Sequence, residues 1–174
     1  MKEKIKYIAY VASSIDGRIA KNGQSGTDWT SKEDWNFFQK SISKFDVVIV
    51  GHNTYKVSQI HLQKRNMIVF TTKIKKLITV GTVTFLNVKY SNIFDFIKKM
   101  NYAKVAILGG PKIYNFFLQN KMLQELFVTI EPYIFTYGVP MFSGDKFVKY
   151  NFVLKSIKKL NKRGTLLLRY KYES

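Results

Sequence analysis

Short runs of β-branched and apolar residues recur along this chain at strand length, each stopped by glycine or small polar residues and most followed by helical periodicity. Val47–Val50 stops at Gly51, Met67–Phe70 at Thr71–Thr72, and Val105–Leu108 at Gly109–Gly110. Strands of this kind have to be covered by the helices between them, which is the layout of an α/β domain with a largely parallel sheet. The same reading predicts a first strand over Ile5–Ala12 ending at Ser13–Ser14, a turn at Asp16–Gly17, a short piece at Arg18–Ala20 and a loop over Gly23–Asp28. Thr30-Ser31-Lys32-Glu33 fits a capping box, with Thr30 as N-cap and Glu33 reaching back. A helix is therefore expected over Ser31–Lys44, with Trp35, Phe38, Ile42 and Phe45 as its buried stripe. Ile93–Met100 and Pro111–Leu118 read as further helices, the second opening on a proline that suits a first turn. Leu126–Ile130 is a strand, and Phe152–Leu160 with Thr165–Tyr172 about Asn161–Gly164 is a closing antiparallel hairpin. No repeat or linker divides the 174 residues, so one domain is expected over residues 1–174.

Composition narrows the chemistry. A chain that is 46% hydrophobic and 16% aromatic has the material for a core and is not disordered. The absence of cysteine excludes a disulfide scaffold, thiolate-bound zinc and a thiol nucleophile, and with only His52 and His61 no histidine-rich metal site is expected. With 29 Lys and Arg against 11 Asp and Glu the formal charge is +18. Such a balance attracts anions, whether nucleic acid, anionic lipid or a phosphate-bearing cofactor, and equally fits a Lys-, Asn- and Ile-rich composition with no functional meaning. The first residues, Met1–Lys6, are heavily charged, and no apolar run approaches the roughly 20 residues of a membrane span. A cytoplasmic protein without a membrane partner is expected.

Three strand ends offer backbone N–H groups where a phosphate can sit. They are Gly109-Gly110-Pro111-Lys112, Gly51-His52-Asn53-Thr54 and Thr71-Thr72-Lys73. Each alone is equally a tight turn or a helix cap; together they suit a ligand with several phosphates, such as a dinucleotide. Asp34 is the other informative residue. Phe38, Ile42 and Phe45 follow it by four, eight and eleven positions, which puts its carboxylate on the apolar stripe. Burial there would raise its pKa and suit a proton donor near neutral pH, whereas a first-turn acid wetted at the helix edge is the bland alternative.

In order along the chain, Ser14-Ile15-Asp16-Gly17-Arg18-Ile19-Ala20, Trp29 with Asp34 five residues on, Val50-Gly51-His52-Asn53-Thr54-Tyr55, Gly109-Gly110 with Ile113-Tyr114, and Glu125-Leu126-Phe127-Val128-Thr129 resemble the dihydrofolate reductase-like family. That family comprises dihydrofolate reductases and the reductase domain of riboflavin biosynthesis. The last third, with Glu131-Pro132, Gly138-Val139-Pro140-Met141-Phe142 and Leu160 to Tyr170, is similar to short dihydrofolate reductases of thermophilic bacteria. The resemblance implies a three-layer fold, NADPH as cofactor, and catalytic roles for Asp34, matching the helix acid that helps protonate the pterin, and Thr129, matching its threonine partner. It places Val11 and Phe38 against the substrate. Ala12, Ile19, Thr54, Leu108, Gly109, Gly110, Ile113 and Tyr114 fall against the cofactor, in the company of the phosphate-site residues Gly51, His52, Asn53, Thr71, Thr72, Lys73 and Lys112. Relatives with the Glu131–Phe142 segment often pair, so a homodimer is expected.

Two departures qualify the resemblance. His52 stands where relatives carry an arginine for the 2′-phosphate of NADPH; a neutral imidazole is a poorer partner, and Lys73 is the nearest substitute. The segment Ser58–Arg65 lacks the usual Pro-Leu-Pro-x-Arg, leaving Lys64 or Arg65 as the cation for a folate carboxylate. The expected activity is NADPH-dependent reduction of 7,8-dihydrofolate. The alternative is reduction of a phosphoribosylamino-pyrimidine in riboflavin synthesis, against which the Tyr55–Asn66 segment reads as too short to hold the phosphoribosyl-binding loop. A basic nucleic-acid-binding domain is the distant reading, weakened by aromatics at periodic core positions and by the lack of a nucleic-acid motif.

Overall fold

The computed structural model describes residues 4–58, 61–62 and 64–173; Gln59, Ile60 and Gln63 of the segment after Tyr55 lie outside the described residues, as do Met1–Glu3. In chain order the elements are β1 (Lys6–Ser13), β2 (Arg18–Ala20), α1 (Lys32–Ile42), β3 (Val47–Gly51), α2 (His52–Ser58), β4 (Met67–Phe70), β5 (Ile78–Val80), β6 (Val83–Leu86), α3 (Ile93–Lys99), β7 (Lys104–Ile107), α4 (Pro111–Gln119), β8 (Glu125–Ile130), β9 (Val139–Pro140), β10 (Phe152–Lys159) and β11 (Leu166–Tyr172). Nine strands form one sheet in the order β10-β11-β8-β1-β7-β3-β4-β6-β5, and β2 pairs with β9 apart from it. From β8 to β6 every neighbouring pair is parallel; β11 and β10 close one edge antiparallel and β5 closes the other.

Successive residues of the central strands face opposite layers, as the twofold period of a strand demands. Val47, Ile49, Ile68 and Phe70 pack on the side of α3 and α4, where Ile93, Ile97, Ile113 and Phe117 complete the larger core. Val48, Val50, Met67 and Val69 face the other way, onto Ile42 of α1 with Phe38, Phe45 and Tyr55 at its margin. Both faces of the parallel strands are thus dry, which is why these runs carry no polar alternation. No helix among the described residues is long and apolar enough to cross a membrane.

One local expectation is corrected. The cap of α1 is Ser31, whose hydroxyl accepts the Asp34 amide at 3.3 Å, and the helix ends at Ile42, before Phe45. Glu33 does not reach back: its carboxylate accepts from Asn161 Nδ2 at 3.3 Å. The donors it would have taken are already engaged, the Thr30 amide by the Thr27 carbonyl and the Ser31 amide by Glu131 Oε1 at 2.7 Å. A residue a hundred positions away closes the cap that the local pattern assigned to Glu33.

Candidate active site

The C-terminal ends of parallel strands converge where chain direction reverses across the sheet, and a cleft at such a place is the usual ligand site of an open α/β sheet. Here the ends of β1 and β8 supply Val11, Ala12 and Thr129 to one wall of a cavity; α1 supplies Asp34, Trp35, Phe37 and Phe38; α2 supplies Thr54 and Val57; and Ile19, Leu108 and the 25–27 loop complete it. Lysine and arginine are missing from its lining among the described residues, and Asp34 is its sole carboxylate. The rest of the wall mixes aromatic and apolar side chains with hydroxyls from Thr30, Thr54 and Thr129; Tyr10 stacks on Phe127 with ring centroids 4.9 Å apart, and Trp35 and His61 meet edge to face at 4.8 Å.

Asp34 is 7% exposed and Thr129 3%. Burial pushes the Asp34 carboxyl above the ordinary aspartate range, and the charge of Glu131 adds to the rise; hydrogen bonding to the Thr129 and Thr30 side chains opposes it. A carboxyl whose pKa is raised at the buried end of a cleft is better suited than an ordinary aspartate to deliver a proton to a heteroatom of a bound ring. The aspartate therefore lies on the buried side of α1, as its spacing from Phe38 and Ile42 suggested.

Beside the cleft, the ends of β3, β4 and β7 form a second group. The Gly51 amide donates to the Gly109 carbonyl at 2.8 Å, and Ile113 packs under Gly51, where an added Cβ would sit 3.3 Å from its side chain. Gly109 has φ +100, and a Cβ there would lie 2.9 Å from the Tyr114 hydroxyl. The Gly109–Gly110 peptide is cis. Tyr114 is held beneath this turn by a 2.6 Å hydrogen bond from its hydroxyl to the Tyr10 carbonyl. Ile113 and Tyr114 thus shape the glycine turn from below, although Tyr114 also reaches the cavity wall. At the far side the Lys73 amide donates to Thr71 Oγ1 at 3.2 Å, and Thr72, Lys73, Asn53 and Lys112 are exposed. Both ring nitrogens of His52 are shut off from solvent with no partner, and burial, then the nearby Lys73 and Lys56 charges, hold its pKa below the usual histidine value.

The structure thus brings Val11, Ala12, Ile19, Asp34, Phe38, Thr54, Leu108, Tyr114 and Thr129 into one cavity, and sets the glycine and lysine positions on an adjoining shelf. It leaves Lys64 and Arg65 outside the lining. Lys64 is exposed with φ 66, while the half-buried Arg65 guanidinium donates to Gln39 Oε1 at 3.2 Å. Of the two, Arg65 is the one ordered against α1. Sequence reasoning did not single out Tyr10, Phe37, His61 or Phe127 as wall residues, nor Glu131, which is 1% exposed. A glutamate inside an otherwise apolar strand end was the available signal for the last.

The profile of the RibD C-terminal domain family matches residues 6–67 and 56–166. The Bacillus subtilis protein YwjB, itself uncharacterized, is 28% identical over 145 residues, which cover 79% of this chain and 82% of that protein. Among solved structures, the Thermotoga maritima diaminohydroxyphosphoribosylaminopyrimidine deaminase/5-amino-6-(5-phosphoribosylamino)uracil reductase superposes with a TM-score of 0.74 at 15% identity, over 97% of this chain and 57% of that one. A dihydrofolate reductase from Enterococcus faecalis, complexed with NADP(H), superposes with a TM-score of 0.68 at 16% identity over the full length of both chains. The fold is therefore dihydrofolate reductase-like.

Proposed function

Because this chain belongs to the RibD C-terminal domain family, we propose that it is an NADPH-dependent reductase of a small nitrogen heterocycle, working in the cytoplasm. The observation that carries this reading is Asp34, a buried and readily protonated carboxyl facing an apolar cleft that adjoins a glycine-lined shelf. The shelf fits a dinucleotide on its own chemistry: the glycine turn leaves backbone accessible, His52 carries two unpartnered ring nitrogens, and Lys73 and Lys56 stand close to it. Gly51, Gly109, Gly110 and Thr54 would hold the pyrophosphate and Lys73 the 2′-phosphate. NADPH supplies the hydride when bound.

The protein's own residues do the rest. Val11, Ala12 and Leu108 form an apolar floor that excludes water from the reacting carbon. Phe38, one turn after Asp34 on α1, offers an aromatic surface to the substrate ring. Asp34 donates its proton to the heteroatom on which negative charge would otherwise develop, and the Thr129 hydroxyl orients the carboxyl.

The family match favours a ribosylamino-pyrimidine of riboflavin synthesis as the substrate. Dihydrofolate is the second reading, carried by the pairing of Asp34 with Thr129. Oxidation of NADPH measured in parallel with 5-amino-6-(5-phosphoribosylamino)uracil and with 7,8-dihydrofolate separates them. Turnover of the pyrimidine alone is expected on the first reading and of dihydrofolate alone on the second; turnover of neither sinks the reductase assignment. The active form is a homodimer, supported by the apolar side chains of Ile134 and Tyr137, 66% and 82% exposed, in the segment after Glu131.

A further inference from the structure

Two carboxyl groups are buried at one corner of the molecule, and their hydrogen bonds differ in kind. Glu131, just past the end of β8, accepts the Ser31 amide on Oε1 and the Thr165 hydroxyl on Oε2, both at 2.7 Å. The first donor is a backbone N–H, which cannot accept. The second, the Thr165 hydroxyl, donates to Glu131 and accepts from Asn161 Nδ2 at 2.9 Å. Both oxygens of Glu131 thus accept short hydrogen bonds, which tie the side chain to the start of α1 and to the turn before β11. Asp34 is faced by the side chains of Thr129 and Thr30, hydroxyls that serve equally well as donors or acceptors and so tolerate a protonated acid.

Ser31 links the two groups. Its amide holds Glu131, and its hydroxyl caps the helix by accepting the Asp34 amide. We propose that Glu131 is a positioning residue for the proton donor: its two hydrogen bonds fix the amino end of α1 to the β10–β11 turn, and its charge faces Asp34 from that anchored place. The inference rests on the reading of Asp34 as the proton source. Other charged or titratable groups around the corner are Glu33 and Lys32 on α1, Asp28 in the preceding loop, Arg163 from the β10–β11 turn, Tyr10 from β1, and His61 beyond the Trp35 ring. Arg163 is drawn away over the Tyr133 ring, 4.6 Å from its centroid, and Lys32, Glu33 and Asp28 are exposed. Among them Glu131 is the group whose charge acts on Asp34.

Carbon-13 NMR titration of the aspartate side chains of the whole protein tests this, with the Asp34 signal identified by its loss in Asp34→Asn. The Glu131→Gln variant keeps the geometry, because its amide oxygen can still accept from Ser31 and its NH2 can donate to Thr165, while the charge is gone. The midpoint of Asp34 is expected to fall in Glu131→Gln. Thr165→Val, which removes one of the two donors that hold Glu131 in place, should move it the same way by less and serves if the first variant does not fold. An Asp34 midpoint unchanged in the folded variants would overturn the proposal. Because the titration needs no substrate, failure of the reductase reading would show separately, as absent turnover with a shifted midpoint intact.

Discussion

At the scale of single residues, Asp34 makes opposite demands on stability and activity. Its pKa is raised in the folded protein, so the native state holds the proton more tightly than the unfolded chain does. Folding stability then falls as pH rises from the ordinary aspartate value, 3.8, to the folded one, and the full cost is present above that window. Asp34→Asn should accordingly raise the unfolding free energy at neutral pH by about 1.4 kcal/mol for each unit of the shift, and the melting temperature with it, and the gain should vanish in acid. The same variant should slow hydride transfer about 10²–10⁴-fold at neutral pH, less as pH falls and solvent supplies the proton. Melting curves and single-turnover rates over a pH series check both; a variant less stable than the parent at neutral pH would show that the Asp34 charge is not costly. On the proposed function, Lys73 is expected to carry the cofactor preference in place of the missing arginine. Lys73→Ala should weaken NADPH binding by about 1–3 kcal/mol and leave NADH nearly unchanged, by fluorescence titration. Equal weakening of both would remove Lys73 from the 2′-phosphate site.

Among the elements, the turn between β7 and α4 is the most constrained. Gly109→Ala would force a side chain into a positive-φ conformation and against the Tyr114 hydroxyl, at a cost of about 1–3 kcal/mol, and should also weaken NADPH by tilting the turn. Differential scanning calorimetry with and without cofactor reads both effects; an unchanged melting temperature would contradict the tight packing. This turn was legible in the sequence because two consecutive glycines directly after a buried strand end the strand and let the backbone turn where a side chain would not fit. The central strands were legible as continuous β-branched and apolar runs stopped by glycine or threonine, and α3 and α4 as helical patterns between them. What escaped was decided by distance. Strands β5 and β6 have three and four residues, too few for a period to declare itself, and β5 is wholly exposed. Helix α2 follows β3 without a break, so of the readings open for Gly51-His52-Asn53-Thr54 the strand end leading into a helix is the one that holds. The cap of α1 needed Glu131, and no local pattern can announce a partner a hundred residues away. In the site, Asp34, Phe38 and Thr129 were found from spacing and resemblance, whereas Tyr10, Phe127 and His61 entered the wall through pairings that arise only in the folded sheet.

For the molecule as a whole, the net charge of +18 is only slightly compensated by contact: two ion pairs, Arg18–Asp16 at 3.9 Å and Arg169–Glu125 at 2.9 Å, form among the described residues. The lysines Lys155, Lys158 and Lys159 stand exposed along the edge strand β10 and discourage further strand pairing there. A dimer is therefore expected to form through the exposed apolar side chains after Glu131 and not by extending the sheet. Light scattering should give twice the chain mass at moderate salt, and Tyr137→Lys should return the monomer; a monomer for the parent protein would end that reading. The central claim is that a hydride leaves NADPH and arrives on a carbon of a substrate whose heterocycle is held over β1 and β8. NADPH deuterated at its transferable position, incubated with the protein and each candidate substrate, puts this to mass spectrometry directly. The account predicts one deuterium per molecule in the carbon framework of the reduced product; NADPH consumed with no deuterium in that product would contradict it.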